Sequence, residues 1–369
     1  LEKLQINFRI SEIYAMTDVY KKLAIHLDHT PSGYPETESG VELRILKQLF
    51  TKEEASLALS LILMPETAET IAKKVNKTAD EIRPMLIEMG EKGLIIHVNR
   101  GGVNSFMLLH FVVGIWEYQV NRLTRELIKD FNEYVPHLIK NQYKNKTQQL
   151  RVIPVAKAVN TELNIMDYEQ VENIIKAQSK ILVAPCICRK EHSMMDKGCD
   201  KPSETCLVFG GGAYIYESRG IGRAISQDEA MEIVKEGVKQ GLVPQPSNAK
   251  KPLNICLCCD CCCQILKNIK DFDAPAKIVS SNFQAHVDED ECTGCLSCEE
   301  ICPMDAVSLD DKEIIANVNL DRCIGCGLCV TACAFDAISL KDKKETEKVE
   351  PPANLMETYM NIAMEKGLL

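Results

Sequence analysis

Apolar positions along the chain switch between two periods, and the switches outline its elements. Val41, Ile45 and Leu49 recur every four residues with Leu46 and Phe50 beside them, while Glu42, Arg44 and Lys47 fall between. That is the helical period, with one apolar and one charged face. Residues 1–50 are therefore expected to be mostly helical, broken by a loop rich in Pro, Gly and Thr around Thr30 to Gly40. Further helices are predicted over roughly Glu53 to Met64, from about Thr67 to Val75, and after the capping box Thr78-x-x-Glu81, with Gly93 just past the last. Two apolar runs, Leu94 to Val98 and Ser105 to Leu108, flank Asn99-Arg100-Gly101-Gly102 and predict a hairpin. Val120, Leu123, Leu127 and Phe131 share one helix face, and Trp116 and Tyr118 are expected as buried aromatics. The run Gln142 to Arg151 is polar and basic and reads as a loop before the next domain.

The order of helices and hairpin over residues 51–110 is that of a winged helix. Its third helix would be the DNA reader, yet it carries Asp80, Glu81, Glu88 and Glu91 against only Arg83 and Lys92. A reading helix needs basic and amide groups for phosphates and base edges, so a structural or docking module is the expectation. The longest apolar stretch, Phe106 to Trp116, is short and interrupted by His110, so no membrane span is expected.

Cysteine then takes over the pattern. The short strand Ile181 to Ala184 delivers Cys186 and Cys188, and Cys199 and Cys206 follow. After a helix from Ser226-x-x-Glu229 to Gly241, the chain places Cys256, Cys258, Cys259, Cys261, Cys262 and Cys263 within eight residues. These thiols can hold one or two iron–sulfur clusters, zinc, or a dithiol redox centre. Cys186, Cys188, Cys199 and Cys206 could close one site, and Cys256, Cys259 and Cys262 or Cys263 have the spacing of a ferredoxin loop. Neighbouring side chains diverge, so the later six cannot all face one metal. Arg189, Lys190 and Arg223 stand nearby and would raise a cluster's potential or hold an anion. Gly210-Gly211-Gly212 lacks a phosphate-binding pattern and reads as a tight turn, and His192 reads as a non-ligand in a polar loop.

Near the C-terminus stand Cys292-x2-Cys295-x2-Cys298-x3-Cys302-Pro303 and Cys323-x2-Cys326-x2-Cys329-x3-Cys333. Residues 284–340 resemble bacterial two-cluster ferredoxins, and the internal repeat extends to Asp305-Ala306-Val307-Ser308-Leu309 against Asp336-Ala337-Ile338-Ser339-Leu340. The resemblance implies two [4Fe-4S] clusters in which the fourth cysteine of each run serves the other cluster. One cluster would take Cys292, Cys295, Cys298 and Cys333, and the other Cys323, Cys326, Cys329 and Cys302. Ala334 departs from the usual proline but removes no ligand.

Composition sets the surroundings. The formal net charge of −10 repels nucleic acid and anionic membrane and suits a carrier that docks on basic patches. Eighteen cysteines in metal-type spacings, with no apolar signal segment in LEKLQINFRISEIYAM, point to a reducing, oxygen-poor cytoplasm. The fold class expected is α+β, in six parts. These are N-terminal helices (1–50), a winged-helix-like domain (51–110), a helical connector (111–178), a central α/β Cys-rich domain (179–283), a two-cluster ferredoxin fold (284–341), and a linker with a Met-rich C-terminal helix (342–369).

With the phrases Ala184-Pro185-Cys186-Ile187-Cys188-Arg189 and Ser281-Asn282-Phe283, the whole chain resembles iron–sulfur proteins of anaerobes built in this order. That implies an electron-transfer protein or subunit relaying single electrons to or from a further Cys-ligated centre, with no substrate supplied. The partner expected is a redox protein, a flavoprotein or an oxidoreductase subunit, and a homo-oligomer is compatible. The alternatives are a redox enzyme with catalysis at the central cysteines and a redox-sensing DNA-binding regulator.

Overall fold

A computed structural model describes residues 18–155, 158, 163, 165–309 and 315–369. The helical expectation for residues 1–17 lies outside them. The chain forms two compact units, Leu1–Lys144 with Ala363–Leu369, and Asn145–Ile362.

In the first unit, α1 (Val19–Asp28) and α2 (Val41–Leu49) bury Leu23, Leu27, Ile45 and Leu46. The period-four stripe thus faces inward, and Arg44 on its far side pairs with Asp130 and Glu133 of α6 (Arg125–Gln142). Helix α3 (Lys52–Ala58) starts at a full capping box between Thr51 and Glu54. It ends six residues before the expected Met64, because the chain must turn so that Glu66 can exchange backbone hydrogen bonds of 2.9 and 2.8 Å with Phe106. Helices α4 (Ala68–Lys74) and α5 (Ala79–Glu91) follow, then strands β1 (Ile95–Arg100) and β2 (Val103–Leu108). These strands pair from Ile95↔Leu108 to Arg100↔Val103. Gly101 and Gly102 close the hairpin at φ +58° and +87°, a conformation a two-residue turn requires and glycine alone adopts freely. Trp116 stacks on Phe131 at 3.6 Å between ring centroids, beside Tyr34, Phe111 and Tyr134. Among the described residues no helix is long and apolar enough to cross a membrane.

The second unit is built on a five-stranded sheet ordered β5-β3-β4-β7-β6. Its strands are β3 (Ile181–Pro185), β4 (Glu204–Phe209), β5 (Arg223–Ile225), β6 (Val243–Pro246) and β7 (Asn254–Cys258). Every pairing is antiparallel, so the α/β alternation expected for this part gives way to an α+β arrangement. One face presents Ile181, Val183, Leu207, Phe209, Ile255 and Leu257 to α7 (Val171–Lys176) and α10 (Gln227–Lys239). The opposite face carries Leu182, Val208, Cys206, Cys256 and Cys258, as the period of two dictates. The triple glycine is not a tight turn: it opens α9 (Gly210–Ser218), where a Cβ on Gly212 would come within 3.0 Å of Val208.

The C-terminal part of this unit holds two ribbons, β8 (Phe283–Val287) with β11 (Ile338–Asp342), and β9 (Val307–Leu309) with β10 (Ala316–Val318). Short helices α12 (Ser297–Glu300) and α13 (Leu328–Ala332) repeat at matching positions, as do Asp305 and Asp336 at φ +49° and +53°. Asn282 ties the parts together. Its amide nitrogen donates to Glu169 at 2.8 Å and its amide oxygen accepts from the Val349 N–H at 2.8 Å.

The pH response of the first unit follows from His110. Burial, with the charge of Lys366 added, lowers its pKa from 6.5 to about 3. Between those values the unfolded chain takes up a proton that the folded unit refuses, so stability falls as pH drops from 6.5 toward 3. Trp116 is the single tryptophan, and its fluorescence reports this unit alone. His110→Gln is expected to flatten the acid limb of fluorescence-monitored unfolding by up to ~1.4 kcal/mol per pH unit. Equal slopes for the two proteins would count against this account.

Candidate metal centres

The two cysteine runs near the C-terminus fold into two loops around two cavities. One is lined by Cys292, Cys295, Cys298 and Cys333, the other by Cys302, Cys323, Cys326 and Cys329. Each cavity therefore takes three thiols from one run and the last from the other. Much of the rest of the lining is apolar, with Val287, Phe335 and Ile338 at one site and Met304, Ile324 and Leu340 at the other. Backbone N–H groups aim at the sulfurs: Ala316 at Cys292 (3.4 Å), Ala306 at Cys302 (3.2 Å) and Ala285 at Cys323 (3.3 Å). Such donors favour a charged thiolate and tune a cluster's potential.

Similar loops sit in different surroundings. Cys323, Cys326 and Cys329 are buried, whereas Cys295 is exposed and Cys292 and Cys298 are half-buried. Burial pushes the thiols of Cys326, Cys329 and Cys302 up, while the Ser297 N–H holds Cys295 down. Gly327 (φ +76°) shows the difference at one position. A Cβ there would lie 2.5 Å from that of Ala158, and its repeat counterpart Leu296 keeps the left-handed backbone (φ +69°) with its side chain 41% exposed. Val155 and Ala158 lie against the second loop, with the Val155 N–H donating to the Cys326 carbonyl at 3.0 Å.

The ten central cysteines form two groups rather than the sets expected from their spacing. In one, thiol hydrogen bonds run in succession through Cys186, Cys188, Cys263, Cys258, Cys256 and Cys206. Cys206 and Cys256 are cross-strand partners, and Cys258 lies two residues on along the same face. In the other, the sulfurs of Cys199, Cys259, Cys261 and Cys262 all lie within 4.8 Å of one another. Cys186, Cys188, Cys199 and Cys206 therefore do not close one site, because the chain carries Cys199 away through the loop before β4. Cys256 and Cys259 likewise part company, since neighbours in an extended strand point to opposite faces. Cys261 and Cys262 converge because they lie in a turn.

Charge is distributed unevenly over the six-thiol group. Cys256 is held well below the ordinary thiol range by hydrogen bonds donated first by Cys206 and then by Cys258. Cys263 is lowered by Cys188 and Cys258, helped by the amides of Leu266 and Ile265 in α11 (Gln264–Lys270). Cys188 and Cys258, the donors, are raised.

Residues 291–338 match a family model described as a 4Fe-4S dicluster domain. This segment binds two [4Fe-4S] clusters. No curated protein and no solved structure matches the chain. The central cysteines, outside the matched segment, have the donor chemistry to bind metal.

Arg189 is a site residue whose role the sequence left open. It is 4% exposed and lies in α8 (Ile187–Met194), donating to Cys259 Sγ at 3.5 Å, to the Leu257 carbonyl at 3.2 Å and to the Thr205 hydroxyl. Burial opposes its charge, but Cys186 and Cys259 outweigh that and raise its pKa, so it remains a cation between the two groups. Arg223 is exposed and paired with Glu204 and Glu229. His192 lies on α8 rather than in a loop, buried against Glu191 and the Cys188 carbonyl.

Gly325 tests the second loop. At φ +67° a Cβ would fall 2.1 Å from the Phe283 carbonyl oxygen, which cannot move without disturbing β8. Gly325→Ala is expected to lose one dicluster cubane, about four irons and four sulfides per chain. Leu296→Ala is expected to keep both, and iron and acid-labile sulfide analysis would separate the two outcomes.

Proposed function

We propose that this chain is an iron–sulfur electron-transfer protein or subunit. Single electrons exchange with a partner at the exposed cluster held by Cys292, Cys295, Cys298 and Cys333. They pass to the buried cluster held by Cys302, Cys323, Cys326 and Cys329, and from there to or from a further cluster in the six-thiol group. One observation carries the reading. Helix α11 begins at Cys263 and ends where the Lys270 carbonyl accepts a 2.8 Å hydrogen bond from Arg322, the residue before Cys323. Arg322 also donates to the carbonyls of Met304 (2.7 Å) and Phe272 (3.3 Å). A helix of this length is about 10 Å long, so the central thiols and the buried cluster stand one short electron step apart.

The exposed cluster is rimmed by acid: Asp288, Glu289, Asp290, Glu291, Glu299 and Glu300 are all exposed. The partner class is accordingly a redox protein with a basic docking face, a flavoprotein or an oxidoreductase subunit. All eighteen cysteines are free of disulfides, which suits a reducing compartment. The helices and hairpin of residues 51–110 serve in this reading as a winged-helix-like packing module. A second reading, catalysis at the central thiols, draws on their surplus, because six thiols stand where one cubane takes four.

The first test is iron and acid-labile sulfide per chain on anaerobically purified protein, with EPR of the reduced sample. The relay predicts at least about twelve irons, and about eight would confine clusters to residues 291–338 and remove its far end. A second test uses ionic strength. Reduction of the exposed cluster by a basic donor should slow several-fold between low and physiological salt, because docking is electrostatic. A salt-independent rate would argue for a different docking face.

A further inference from the structure

We infer that Cys199, Cys259, Cys261 and Cys262 form a single-ion site, a tetrahedral thiolate centre for one divalent zinc or iron, separate from every cluster in the chain. The inference does not rest on the electron relay. It rests on size, position and charge.

Four thiolates around one ion with metal–sulfur bonds of about 2.3 Å stand about 3.8 Å apart, the edge of that tetrahedron. The four sulfurs here lie within 4.8 Å of one another, close to that dimension before any metal draws them in. A cubane requires more room. Each thiolate binds its own iron at a corner and points outward, so the four ligands spread around the whole cluster. Among the described residues no other group of three or more His, Cys, Asp or Glu ligands gathers so tightly, the two dicluster sets included.

Position separates this site from the six-thiol group. Cys259 and Cys262 belong to the core on the α7 and α10 side of the sheet, with Cys199 packed against it. Cys206, Cys256 and Cys258 line the other face. The chain crosses between the two at Cys258–Cys259 and again at Cys262–Cys263, so neighbouring residues feed different centres.

The charge is also provided for. Four thiolates on a divalent ion leave a net charge of about −2. Arg189 donates to Cys259, and the Lys201 N–H donates to Cys199. All four donors are soft and no carboxylate or imidazole joins them, the donor set of zinc or of a single iron. Bound there, the ion staples the loop between α8 and β4 to the turn after β7.

The test is made on the full chain purified anaerobically. Wild-type protein should contain one zinc with a shell of four sulfurs and no metal neighbour by X-ray absorption, or one isolated iron distinguished from cubane iron by Mössbauer spectroscopy. Either metal supports the site. Cys199→Ser/Cys261→Ser should lose that one ion while the dicluster EPR signals and the sulfide content stay unchanged. Loss of about four irons with four sulfides from the variant would overturn the inference, as would no isolated ion in the wild type. The wild-type measurement stands whether or not the variant folds. Failure of the relay registers separately, as the absence of cluster iron beyond that of residues 291–338.

Discussion

A buried thiolate is a charge that the protein interior rejects unless something positive stands beside it. The second unit is organised around that constraint. Burial pushes Cys302, Cys326 and Cys329 up, and Cys188 and Cys258 are raised as donors to their neighbours. Side-chain compensation is sparse: Arg189 stands between the two central groups, Asn254 donates its amide to Cys256, and several dicluster sulfurs receive backbone N–H groups. Dipoles and one guanidinium balance few thiolates, and bound metal is the charge that would balance the rest. Where metal does so, its binding couples to folding. The first unit, with its aromatic core around Trp116, carries no such demand.

The dicluster segment shows how surroundings give similar loops different duties. Both runs use the same spacing, the same short helix after the second cysteine and the same left-handed aspartate. One run is covered by Val155 and Ala158, which leave room only for a glycine at 327, and the thiols of Cys323, Cys326 and Cys329 are buried. The other keeps Leu296 and Cys295 at the surface amid carboxylates. Burial and hydrogen bonds to sulfur both shift a cluster's potential. The two loops therefore give their thiols different accessibility at the same cysteine spacing.

What the sequence disclosed and withheld follows the range of the forces involved. Local signals carried well. The stripe Val41, Ile45, Leu46, the Thr51 to Met89 run of helices and the Gly101-Gly102 hairpin all arise from contacts a few residues apart. Dicluster cysteines were legible for the same reason, since their spacing is that of one loop. The central cysteines were not, because their grouping depends on sheet register. Cys206 meets Cys256 only because β4 pairs with β7, and that pairing spans dozens of residues. Divergence of Cys258 from Cys259 could be foreseen from strand geometry, but which distant thiol each would meet could not. The same limit applies to Arg189, whose three neighbours come from β4, β7 and the turn beyond.

The adjacency of Cys262 and Cys263 links the proposed centres mechanically as well as electronically. An ion at Cys199, Cys259, Cys261 and Cys262 would fix the turn from which α11 springs. Cys263 caps that helix within the six-thiol group, and its far end is held by Arg322 beside Cys323. A structural ion there, zinc or iron, would thus help set the distance between the proposed six-thiol centre and the buried dicluster site. Electron transfer falls steeply with distance, so an ion that fixes this turn is well placed to keep that step short. In this proposal the two groups of central cysteines divide the work, one as anchor and one as carrier, fed by six thiols within eight residues at the end of β7 and the turn after it.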